Sequence, residues 1–223
     1  MERNALWDMA QQLRDVLPLH VLDDADGQEL FSHLRLRHFA AGEVVYHRGD
    51  PAADTFVVHD GEMRSTIHDQ QGRELVIGRS GRGEFFGTHA LFRNGPREST
   101  VSAVVPTAVL QIGRAGALRV LARNPRATAF MFERMAETIE HLANQVEAIV
   151  FLDVRGRLAR HLIEIARHGA VTLRQEDVAA AIGASVFTVN RTLAEFGRRG
   201  LIRVGRRCVH VLDEAQLRRD IRP

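Results

Sequence analysis

The sequence predicts an α+β chain with an N-terminal antiparallel β-barrel, one long helix and a C-terminal winged helix-turn-helix. Three observations carry that expectation. Residues 27–115 are punctuated by eleven glycines with short apolar or alternating runs between them. Phe132, Met135, Ile139, Leu142, Val146 and Ile149 recur at spacings of 3 and 4. Ala179, Gly183 and Val189 stand 4 and 6 residues apart inside a basic segment.

The glycine-rich part contains EVVYHRG, TFVVHDG, EMRSTIHD, ELVIGRS and TAVLQIGR. β-branched runs separated by regular turn signals indicate antiparallel strands in a sandwich or barrel. Asp60-Gly61 and Gln71-Gly72 suit tight turns. A helix is expected ahead of the barrel at residues 4–16. The boundaries expected from these patterns are 1–125 for the barrel, 126–152 for the long helix and 153–223 for the basic part.

On the long helix, the 3,4 spacing is the a/d stripe by which one helix pairs with another. Glu133, Arg134, Glu137, Glu140 and Glu147 occupy its other faces. The same stripe also suits a helix packed on its own barrel, so periodicity leaves dimerisation open.

In the basic part, RGRLARHLIEIARHG reads as an amphipathic helix ending at Gly169. The next two helices form the helix-turn-helix. Ala179 is small where the helices cross, Gly183 supplies a left-handed turn, and Val189 packs back on the first helix. Val178, Ile182 and Leu193 are core positions, and Ser185 is placed to cap the second helix. That helix would present Val186, Phe187, Thr188, Asn190 and Arg191. A hairpin follows with Gly205, Arg206 and Arg207 at its tip, a basic wing suited to phosphates. Cys208 falls in its second strand as an ordinary strand residue.

Charge agrees with this division. All 30 basic side chains are arginine. Residues 155–223 hold 14 arginines against 7 acids, whereas residues 1–154 hold 16 against 21. A basic back half suggests a polyanionic partner. A single cysteine excludes an internal disulfide and a cysteine-ligated iron–sulfur cluster. No apolar run reaches the length of a membrane span. The N-terminus lacks a signal-peptide pattern, so the expected location is cytoplasmic. His38, His47, His59 and His68 lie in separate strands or turns, which argues against a metalloenzyme built on the barrel.

GEVVYHRGDPAADTFVVHDGEMRS, AIVFLDVRGRLARHLIEIAR and RQEDVAAAIGASVFTVNRTL, in that order, resemble the cyclic-AMP receptor protein/FNR family of bacterial transcription regulators. The resemblance runs from about Leu30 to Leu212. It implies a cyclic-nucleotide-binding-like jelly roll, a homodimer through the long helix, double-stranded DNA with two near-palindromic half-sites, and contact with RNA polymerase. No enzyme activity is implied. Arg191 matches a family arginine that reads a base, and Arg174 a position that contacts backbone or base. Val186 and Phe187 stand where receptor-type members carry an arginine and a glutamate. They offer only apolar contact, to a thymine methyl or against the wing.

The resemblance makes GEFFGTHALFRNGPREST the effector cassette. Gly87 is retained, Thr88 replaces the glutamate that takes the ribose, Arg97 falls on the phosphate arginine, and Glu98 replaces its serine neighbour. Leu142 and Ala143 stand at the purine-contacting positions. Glu98 adds negative charge near the phosphate and can pair with Arg97. At about 4 Å and an effective dielectric near 20, two like charges repel by roughly 4 kcal/mol. The residues therefore weigh against a cyclic nucleotide. Haem enters as an alternative through His89, two residues after Gly87, and an ordinary surface Arg97–Glu98 pair at a turn is another. The alternative function is a ligand-sensing module acting through protein contacts.

Overall fold

The computed structural model describes residues 30, 32–72, 74–167, 174–205 and 208–221. The helix expected at 4–16, the stop at Gly169, and Arg206 and Arg207 lie outside the described residues. The chain divides into two compact units, Met1–Ile67 with Gly78–Ile139, and His68–Ile77 with Glu140–Pro223.

Eight strands form the N-terminal part: β1 Leu34–Phe39, β2 Val44–Tyr46, β3 Asp54–Asp60, β4 Met63–His68, β5 Glu74–Ser80, β6 Phe85–Phe86, β7 Thr100–Ala103 and β8 Thr107–Gly113. They make two four-stranded sheets in the orders β1-β8-β3-β6 and β2-β7-β4-β5, the order of a jelly roll. A one-turn helix, α1 His89–Phe92, interrupts the run between β6 and β7. α2 Arg114–Arg123 and α3 Pro125–Phe151 follow β8.

The continuous run Thr55-Phe56-Val57-Val58 in β3 is buried at every position. A strand covered on both faces has no reason to alternate. Phe56 and Val58 face the cluster of Phe39, Tyr46, Met63, Phe86 and Val101. Val57 faces a second cluster with Leu91, Leu110, Val120 and Met131, where the helices cover the sheet. A small apolar cavity of about 30 Å³, bounded in part by Phe85, Leu91, Val120 and Met131, remains in this second cluster.

On α3, Ala127 and Met131 are buried. Beyond them the expected stripe emerges: Phe132, Ile139, Val146 and Ile149 are 46–65% exposed in the single chain, and Leu142 38%. Met135 is half-buried.

The C-terminal part contains α4 Val154–Arg167, α5 Gln175–Ile182, α6 Val186–Arg198, the hairpin β9 Ile202–Gly205 with β10 Cys208–Val211, and α7 Glu214–Asp220. Its core is Leu158, Leu162, Val178, Val189, Leu193, Phe196 and Leu217, all nearly inaccessible. α4 starts at a bonded corner, where the Gly156 amide donates to Asp153 Oδ1 at 2.8 Å. Arg157 braces the same corner. Its Nε donates to the Ile182 carbonyl at 2.9 Å and another guanidinium nitrogen to the Leu152 carbonyl at 2.9 Å. Those carbonyls lie at helix ends, where intrahelical partners run out.

Candidate functional site

Two sites are built by these elements, one on α6 and one behind β6. α5 ends at Gly183, whose φ of +62° and ψ of +45° is the left-handed conformation a glycine holds without strain. Two residues later the chain re-enters a helix. Ser185 Oγ accepts the Thr188 amide at 3.1 Å, and the two hydroxyls are 2.8 Å apart. Thr188 is thereby engaged in the cap and half-buried. Val189, Thr192, Leu193 and Phe196 form the buried face of α6. The opposite face carries Val186, Phe187, Asn190, Arg191, Ala194 and Arg198, all exposed.

Phe187 is 76% exposed and Val186 37%. The Phe187 ring therefore stands largely in solvent, whereas Val186 is covered over most of its surface. Both side chains precede the wing on the helix's first turn and stand away from the core. Arg174, the residue before α5, is exposed too. The C-terminal end of α6 is held by charges: Glu195 pairs with Arg155 and lies 3.9 Å from Arg199, which reaches Asp220 at 2.7 Å. These ion pairs give the helix a fixed seat and were not visible in the sequence, since their partners are up to 40 residues apart.

The second site surrounds Arg97. Its side chain is buried, only 7% of the residue being exposed. One guanidinium nitrogen donates to the Asp54 carbonyl at 2.8 Å and another to the Gly87 carbonyl at 3.3 Å. Nε is buried without a partner. The guanidinium carbon lies 4.1 Å from the Tyr46 ring centroid and 5.5 Å from that of Phe56. Phe56 stacks on Phe86 at 4.9 Å, its partner across the β3–β6 pair. Gly87 has a φ of +68°, and a Cβ there would meet Arg97 at 2.7 Å and the Tyr46 hydroxyl at 3.2 Å. Glycine thus serves both the backbone and the close approach.

This arrangement corrects two expectations. Arg97 and Glu98 are not a surface pair, and Glu98 does not take Arg97 as its partner. The chain bends here and sends the neighbours apart. Arg97 turns inward, while the Glu98 carboxylate sits in solvent 3.6 Å from His89 Nε2 and 3.9 Å from Arg93. Thr88 precedes α1 and its side chain makes no capping hydrogen bond. His89 is largely exposed beside Glu98. Leu142 belongs to the exposed stripe of α3. Tyr46, Phe56 and Asp54, the actual surroundings of Arg97, carried no sequence signal. The two sheets packing face to face, with the loop before β7, bring them together.

Burial shifts both members of the stacked pair. Loss of hydration pulls the Arg97 guanidinium below its ordinary value, with Tyr46, Asp54 and Asp50 pulling back. The same loss pushes the Tyr46 phenol up to about 12, against the opposing pull of Arg97. Tyr46 is the chain's one tyrosine, so tyrosinate absorbance reports it alone. A raised folded value means the native state keeps its proton after the unfolded chain has lost its own. The associated stability is full below pH 10 and is lost as pH rises towards 12, by about 2–3 kcal/mol in total. Alkaline titration followed at 295 nm should show tyrosinate near pH 12, together with loss of the folded circular dichroism. Ionisation near pH 10 with the fold intact would contradict the buried placement.

Among the described residues, no group of three or more histidine, cysteine or acidic side chains is placed to hold a metal ion. No helix among them is long and apolar enough to cross a membrane.

Residues 36–124 match the cyclic nucleotide-binding domain family, and residues 156–220 match the Crp-like helix-turn-helix domain family. A CRP-like cAMP-activated global transcriptional regulator of Mycobacterium tuberculosis is 28% identical over 194 residues, covering 82% of this chain and 87% of the relative. Among solved structures, a crp/fnr-family transcriptional regulator from Eubacterium rectale superposes with a TM-score of 0.77 at 20% identity, over 92% of this chain and 97% of that one. The c-di-GMP responsive global regulator CLP of Xanthomonas campestris gives 0.76 at 20% identity, over 85% and 99%. At such identities these two structures bear on the fold.

Proposed function

Because the chain belongs to the cyclic-AMP receptor protein/FNR family of bacterial transcription regulators, we propose that it acts as a homodimer binding near-palindromic promoter sites through α6, under an effector other than cyclic AMP. The observation that carries the reading is the outer face of α6, a capped helix with Asn190 and Arg191 free of the core. A helix of this width fits the major groove, where arginine pairs bidentately with guanine and asparagine with adenine. The exposed apolar stripe of α3 supports pairing with a second copy. Contact with RNA polymerase belongs to the same proposal. No catalytic activity is proposed.

Selection from a random-sequence duplex library, followed by mobility shift at two salt concentrations, tests the proposal. A recovered palindrome bound well above random DNA, with affinity falling steeply with salt, is the expected result. If no sequence exceeds random DNA with or without cell-extract small molecules, the regulator reading fails. Arg191→Ala should cost about 1–3 kcal/mol on the recovered site and leave binding to random DNA nearly unchanged. Equal losses on both would remove its base-reading role.

For the effector, Thr88 and Glu98 stand where the family carries a carboxylate and a serine, and Arg97 already spends two nitrogens on the carbonyls of Gly87 and Asp54. A ligand at a hundred times its Kd adds about 2.7 kcal/mol. Cyclic AMP at millimolar concentration should therefore leave the melting temperature unchanged. A rise of about 5 °C would overturn this part of the proposal.

A further inference from the structure

The apolar first turn of α6 has a chemical consequence for the DNA it reads. Val186 and Phe187 are its first two residues, and Phe187 is the most exposed large apolar side chain among the described residues. Neither can donate or accept a hydrogen bond. A major groove presents one apolar group, the thymine C5-methyl, among acceptors and amino donors. A phenyl ring set against a guanine or cytosine edge would strip those polar atoms of water and return nothing. The pair thus favours thymine by attraction and opposes G·C by desolvation.

We infer that Val186 and Phe187 form a 5-methyl reader, which makes operator affinity depend on thymine methyl groups in each half-site. The inference rests on the proposed DNA-binding role of α6. It also fixes a spacing. Phe187 and Arg191 are four residues apart on one face, about one helical pitch of roughly 5.4 Å. Base pairs rise about 3.4 Å. The thymine read by Phe187 and the guanine read by Arg191 therefore fall within about two base pairs of each other.

The test uses the full-length protein and the duplex recovered by selection. Each conserved thymine near the half-site guanine is replaced by uracil, which removes only the methyl, and then by 5-bromouracil, which restores apolar bulk. Burying one methyl contributes about fourfold in affinity, so symmetric replacement in both half-sites should weaken binding about fifteenfold. Bromouracil should restore it. Phe187→Ala should bind thymine and uracil duplexes alike, and its unchanged melting temperature separates this from misfolding. Three outcomes overturn the inference: a recovered half-site without thymine within about two base pairs of the guanine, equal binding of thymine and uracil duplexes, or a uracil loss that bromouracil does not repair, which would place the effect in duplex shape. Equal binding on a strongly selected palindrome leaves the regulator reading intact and removes the methyl-reading role of the Phe187 face. Failure to recover any site removes the regulator reading itself.

Discussion

Aspartate at both Ile139 and Val146 is expected to leave the chain monomeric and to lower affinity for its operator by about a hundredfold to ten-thousandfold. The two side chains are 65% and 60% exposed in the single chain and lie one heptad apart on one stripe of α3. A twofold interface sets each such position near its own copy. The double variant would then force four carboxylates into one seam, each losing hydration without a counter-charge. Dimerisation makes engagement of the second half-site intramolecular, and its loss removes that gain in effective concentration. Sedimentation velocity and mobility shift measure the two effects together. Glu133→Gln, on another face of the helix, should change neither. A double variant that still sediments as a dimer would place the interface elsewhere.

Phe196→Ala is expected to destabilise the C-terminal unit by about 3–5 kcal/mol, as for other deletions of fully buried aromatics. Phe196 has no accessible surface and packs among Leu158, Leu162, Val178, Val189 and Leu193, so nothing nearby can close the space by a simple rotation. Against a typical domain stability of roughly 5–15 kcal/mol, that loss is a large fraction. Urea denaturation followed by far-ultraviolet circular dichroism should show an early helical transition, with a second transition of the barrel at its original midpoint. DNA binding should fall with the early transition. Phe187→Ala, on the exposed face of the same helix, should stay within about 0.5 kcal/mol of the parent. A Phe196→Ala protein with an unshifted midpoint would mean the core of this unit repacks.

The contrast between those two phenylalanines shows where sequence reasoning works. Periodicity of 3.6 separates Phe196 from Phe187 on α6, and the 4 and 6 spacings around Gly183 locate the turn. Glycine dipeptides mark strand ends because few other residues reach positive φ cheaply. What stays hidden is whatever depends on register between distant strands. The fate of Arg97 is decided by Tyr46 on β2, Asp54 and Phe56 on β3, and Gly87, which lie 10 to 51 residues away. Adjacency in sequence suggested Glu98 as its partner, but adjacent side chains here part company at a bend.

Arg157 joins two places that the sequence keeps 30 residues apart, the Leu152 carbonyl at the end of the long helix and the Ile182 carbonyl just before the turn. Both links end on main-chain atoms, so they persist whatever side chains surround them. One guanidinium thus spans the corner at residues 152–153 and the end of α5, so a change of angle at that corner bears directly on the turn that leads into α6.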